Sequence, residues 1–147
     1  IEIAKERQKE NITFAVADVF DFATDEKFEA VFGGFIWSHI LLQDLDRFLE
    51  NVKSFLKPRG TIVFIDGNSV DGTNHDLKNI TKTDEHGNTF QSRKLENGSS
   101  HLVLKNFPTN DFLFEKLSSI ATYINFINLK LYWRVSCKLS EKLTKQK

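Results

Sequence analysis

The residues able to do chemistry sit where apolar runs end. Asp18 closes the run ITFAVA at residues 12–17. A carboxylate there is an acceptor only, and serves either to cap the following turn or to receive a hydrogen bond from a ligand. Gly33 and Gly34 close FEAVF at residues 28–32, where the backbone must turn tightly or lie close to something. Phe35 and Trp37 follow; each is either a core aromatic or a face that walls a pocket and holds a cation. His39 is the histidine nearest these strand ends. Its imidazole is suited to taking a proton from an oxygen or nitrogen, or to satisfying backbone groups at a helix start. Asp66 ends TIVFID at residues 61–66 and reads as a loop cap. Cys137 has no histidine beside it, and His75, His86 and His101 have no ligand-like spacing to a cysteine. Neither an activated thiol nor a metal site is expected.

The elements that would position these residues follow from periodicity. Residues 1–10 pattern as a surface helix stopped near Asn11. Residues 12–17 and 28–32 pattern as strands buried on both faces. Asp44 opens a helix in which Leu45, Phe48, Leu49, Val52, Phe55 and Leu56 recur at three- and four-residue spacing, the signature of a helix packed on a sheet. Lys57, Pro58, Arg59 and Gly60 break it, and residues 61–66 form a third strand. Residues 67–87 are polar and loop-like. NTFQSRKL and SSHLVLKNF then flank Glu96, Asn97 and Gly98 as a hairpin. Residues 110–122 predict a helix, 126–139 one or two closing strands, and 140–147 a charged tail. Strands ending in polar residues or glycine, interleaved with helices, give an open α/β sheet with its ligand crevice at the carboxyl ends.

Bulk composition is compatible with one globular domain. The chain has 147 residues, 40% of them hydrophobic, and 20 basic against 20 acidic side chains, enough to bury a core without cross-links. The zero balance gives no electrostatic bias towards nucleic acid or membrane. One cysteine and no membrane-length apolar run suggest a cytoplasmic protein. The opening at Ile1 in mid-helix suggests a truncated polypeptide.

Three segments together resemble class I S-adenosyl-L-methionine (SAM)-dependent methyltransferases: ADVFDF at residues 17–22, FEAVFGGF at 28–35 and LKPRGTIVFID at 56–66. Only residues 19–27 separate the first two strands, too few for a crossover helix packed on the sheet, which is also similar to that family. The resemblance implies a Rossmann-like, three-layer α/β/α sheet with a β-hairpin inserted after the fifth strand. It implies one domain over residues 1–139, with 68–107 as an inserted loop and hairpin acting as a substrate lid. It also implies SAM as cofactor, with Asp18 accepting from the adenine amino group, the Val19 N–H donating to the ring, and Phe20, Gly33, Gly34 and Phe35 alongside. Trp37 and His39 would face the acceptor, a small molecule methylated on O, N or C, with His39 as the catalytic base.

The family's glycine-rich turn and ribose-binding acid are absent, and would precede Ile1 on a missing piece on the order of 50 residues. The fragment would then lack its first two strands, which in the family's sheet lie between the third and the fourth. It is expected to be inactive and poorly folded alone. Two other readings stay open at this point: another nucleotide-binding Rossmann-like enzyme such as an oxidoreductase, and a non-catalytic methyltransferase remnant.

Overall fold

A computed structural model describes residues 2–7 and 9–141; most of the tail expected at 140–147 lies outside the described residues. A short helix, α1 (Glu2–Glu6), is followed by an extended stretch and then β1 (Phe28–Gly34), α2 (Leu45–Ser54) and β2 (Leu56–Gly67). Three short strands come next, β3 (Ile80–Thr83), β4 (Thr89–Lys94) and β5 (Ser100–Leu104). The chain closes with α3 (Asn110–Ser118), β6 (Ala121–Leu129) and β7 (Tyr132–Leu139).

The main sheet has the order β1-β2-β7-β6. β1 and β2 run parallel, with Gly33 opposite Phe64 and Gly34 opposite Ile65. β7 is antiparallel to both β2 and β6, so the closing segment, expected over 126–139 as one or two strands, is an antiparallel pair that begins at Ala121. Ile62 and Phe64 share a face with their register partners Cys137 and Val135, and these pack with Leu45, Phe48, Leu49 and Val52 of α2 and with Leu113 and Leu117 of α3 into one core. Each such side chain contributes about 2 kcal/mol of burial energy. Thr109 caps α3 by accepting from the Phe112 N–H at 3.2 Å. Asp44 stands at the start of α2 without a side-chain cap, because a 3-10 turn over Leu42–Asp44 leads directly into the helix.

Several sequence expectations are corrected. Residues 12–17 are not a strand: the segment carries no ladder, and Ile12 and Val16 are 42% and 84% exposed. The physical reason is pairing. A β-former run becomes a strand only against a neighbour, and no strand among the described residues lies beside it. α1 ends at Glu6 rather than near residue 10. Leu56 belongs to β2, not α2, since the chain passes from helix to strand within two residues, with Arg59 at φ 62 forming an irregularity in the ladder. α3 stops at Ser118, and Ala121 already pairs with Leu139. The expected hairpin is a three-stranded sheet, because residues 80–83, expected within the loop 67–87, pair with β4.

Candidate functional site

β1 and β2 carry the chain to the same end of the sheet, and the residues that follow Gly34 and Gly67 build the crevice there. After Gly34 the backbone turns sharply: Phe35 adopts φ 55, an uncommon and costly conformation for a large side chain. It is held by the bond from the Phe35 N–H to the Ile65 carbonyl at 2.8 Å. This turn decides which aromatic faces where. Phe35 is 51% exposed, its ring edge-on to Tyr132 at 5.7 Å, whereas Trp37 is 1% exposed and packs edge-on to Phe64 and Trp133. Trp37, expected beside the acceptor, is a core residue with no ring face left for a ligand. His39 ends a 3-10 turn with its side chain exposed and its N–H bonded to the Ile36 carbonyl.

The loop preceding β1 is fastened to α2. Asn51 donates to the Val19 carbonyl at 2.8 Å, Arg47 bonds Asp21 at 3.0 Å and lies over the Phe20 ring, and Phe22 packs edge-on to Phe55. This attachment closes a cavity of about 200 Å³ that brings Asp18, Val19 and Gly33 together against Ile36, Phe48 and Phe64. Phe20, Gly34 and Phe35 are not among its walls; the Phe20 ring is occupied by Arg47. Asp18 has a local role as well, since its Oδ1 accepts from the Phe20 N–H at 2.8 Å and its carbonyl from Phe22. A carboxylate retains lone pairs on its second oxygen after such a bond. Gly33 has a packing role too, because a Cβ there would lie 2.6 Å from the Phe64 ring.

Beside this cavity lies a group of buried polar residues that the sequence did not reveal. Asp66, fully buried, accepts from the Ser38 N–H at 2.9 Å, the Ser38 hydroxyl at 3.0 Å and the Gly67 N–H at 2.7 Å. Lys105, 3% exposed, donates to Asp66 at 3.0 Å and to Ser38 Oγ at 2.7 Å. Asn88 and Asn106 extend this docking: Asn88 accepts from Leu42 N–H and Asn106, and Asn106 donates to the Ile40 carbonyl. A buried charge persists only when paired and hydrogen-bonded. These bonds pin the three-stranded sheet onto the turn after β1. The only sequence cue was Asp66 at a strand end; its partner lies 39 residues away.

His75, expected as an unremarkable loop residue, also reaches the carboxyl end of β2. A methyl group added to Gly67 would overlap its imidazole, so glycine permits the approach. Burial, with Lys105 and Arg93 nearby, holds the His75 pKa below its ordinary value, opposed by Asp66 and an Asn68 backbone hydrogen bond. Cys137 is buried, and that burial pushes its thiol up to about 11, so it is no nucleophile. Among the described residues no group of ligand-type side chains could hold a metal, and no helix is long and apolar enough to cross a membrane.

A model of the methyltransferase domain family matches residues 1–64. No curated protein sequence matches the chain. Among solved structures, the chain is similar to DhpI in complex with SAM and HEP (TM-score 0.72, 21% identity) over 91% of its own length and 61% of that chain. It is similar to DhpI in complex with SAH (TM-score 0.68, 22% identity) over 89% of its length and 56% of that chain. A SAM-dependent methyltransferase from Methanosarcina mazei matches at TM-score 0.68 and 13% identity, over 95% of this chain and 76% of that one. The chain thus spans about three fifths of the DhpI chains it resembles. At these identities the structures establish the fold, which is Rossmann-like. Residues 1–64 thus match the methyltransferase domain family, and the fold of the chain is that of the SAM-dependent methyltransferases it resembles.

Proposed function

We propose that this chain forms the adenine side and the acceptor side of a methyltransferase that moves the methyl group of SAM to a small-molecule acceptor. The observation that carries the reading is the cavity uniting Asp18, Val19 and Gly33 from two separate segments. Its walls are apolar (Ile36, Phe48, Phe64) with one carboxylate at the rim, the combination suited to a planar heterocycle bearing an exocyclic amine. Asp18 would accept from that amine and the Val19 N–H would donate to the ring. Bound SAM supplies an activated methyl group with a good leaving group already in place. The chain's own task is alignment and exclusion of water, which the pinned turn at residues 35–39 and the inserted sheet would perform.

The unpaired residues 12–17 support a second part of the proposal. They would be the family's third strand, whose partners, together with the glycine-rich turn and ribose-binding acid, come from sequence outside this chain. Calorimetric titration with S-adenosylhomocysteine (SAH) tests this. Binding is expected for a protein that includes two further strands and a glycine-rich turn before residue 1, and not for the 147-residue chain. Equal affinity in both would contradict a divided site.

A further inference from the structure

Two cavities flank the carboxyl ends of β1 and β2. The first holds Asp18 and Gly33; the second, about 230 Å³, is walled by Asn68, Val70, Thr73, His75, Leu131 and Tyr132. The turn after β1 joins them. Gly33 and Ile36 line the first, while the Phe35 ring rests on Tyr132 of the second. We propose that the second cavity holds the methyl acceptor, a small molecule with an O–H or N–H at the reacting atom, and that His75 takes its proton. The proposal rests on the methyltransferase reading above, and assigns the base to His75 instead of His39.

The loop that carries His75 is held rigid. The Asp76 carboxylate, buried, accepts from the Gly72 N–H at 2.8 Å and the Lys78 N–H at 2.9 Å, and the His75 N–H donates to Thr73 Oγ1 at 3.1 Å. The imidazole rests against Gly67 on one side and lies 6.3 Å from the Phe107 ring. Lys105 and Arg93 favour its neutral form, and Asp66, paired with Lys105, opposes them. A neutral imidazole is the form that accepts a proton. In the step, the acceptor's proton passes to the free ring nitrogen while its lone pair forms the bond to the methyl carbon. The carbon–sulfur bond of SAM breaks, so the positive charge of the sulfonium ends on the imidazolium, beside a neutral methylated product and SAH. His39, exposed at the end of a 3-10 turn, lines neither cavity.

The test uses 4-nitrophenol as probe, because its phenolate is coloured and needs no methyl transfer to be seen. Bound to the chain, it is expected to ionise at a pH about one unit below that of the free compound, roughly a tenfold change in the ionisation constant. His75→Gln should abolish that shift while His39→Gln keeps it, with both variants retaining the parent's thermal melt. Amide resonances of Asn68 and Tyr132 should move on binding. A shift that persists in His75→Gln, a response confined to Asp18 and Gly33, or no binding at millimolar probe would overturn the proposal. SAH calorimetry on a protein that also carries the proposed additional strands separates the two levels: an intact nitrophenol shift without SAH binding in that longer protein would sink the methyltransferase reading and leave His75 as a proton acceptor.

Discussion

Residues 9–22 and the inserted sheet at 80–107 are both appended to the same four strands, yet they are held in opposite ways. The insertion is docked through buried, hydrogen-bonded polar groups, with Lys105, Asn106 and Asn88 all at 5% exposure or less. The earlier segment is held at its far end, by Asn51, Arg47 and the packed rings of Phe20 and Phe22, while Ile12 and Val16 face solvent. Apolar sequence therefore does not by itself make a core. The polar insertion is fixed because each of its buried groups finds a partner, and residues 12–17 stay exposed because they have no ladder.

The contrast breaks most visibly at Lys105. Replacing it with methionine leaves Asp66 buried without its cation, and should cost about 3–5 kcal/mol in urea unfolding. Asp18→Ala, at the other region, should change stability by less than about 0.5 kcal/mol. Similar losses from the two would erase the distinction.

Within the core the next largest effect is expected at Leu49, 1% exposed on α2: Leu49→Ala should cost about 2–5 kcal/mol. Val16→Ser, at 84% exposure, should cost almost nothing in this chain. In a protein where residues 12–17 have strand partners, the same Val16 substitution should become clearly destabilising, which denaturant midpoints would show.

Acidity probes the insertion's loop more gently. The folded chain keeps His75 neutral below its ordinary value of 6.5. As pH falls from 6.5 to the lower folded value, the unfolded chain binds the proton first, so stability declines with falling pH across that window. His75→Gln should flatten that slope. Asp76, lowered from 3.8 by the Gly72 and Lys78 N–H groups, behaves differently: its contribution is present above 3.8 and lost only as pH drops through the lower folded value, so the two windows separate in a stability-versus-pH series.

The smallest expected effect is at Arg59, φ 62. Arg59→Gly relieves a conformation costing about 1–2 kcal/mol and adds back about 0.5–1 kcal/mol of chain entropy. The exposed Arg59–Glu141 pair at 3.3 Å adds little. A gain of about 0.5 kcal/mol should appear as a small rise in Tm.

Much of this arrangement was legible in the sequence. The β1 run, the spacing of Leu45, Phe48, Leu49 and Val52, the β2 run and the closing β run at 126–139 all carry local periodicity, and the structure forms them. What was not legible depends on distant partners. Residues 12–17 look like a strand, and only the absence of a neighbouring ladder says otherwise. Residues 80–83 hold a single apolar side chain and become a strand because β4 lies alongside. Trp37, expected beside the acceptor, is buried beyond a turn with positive φ at Phe35, which no spacing rule foresees. Lys105 looked like any surface lysine, and His75 like any loop histidine. Their roles come from contacts with Asp66 and Gly67, made across the fold.

The most direct test of the central claim is SAH calorimetry on Asp18→Ala in a protein that carries the proposed additional strands. The expected affinity is at least about tenfold weaker than the parent's, the loss expected for one hydrogen bond to a carboxylate. An unchanged affinity would contradict the assignment of the Asp18 cavity to the cofactor's adenine.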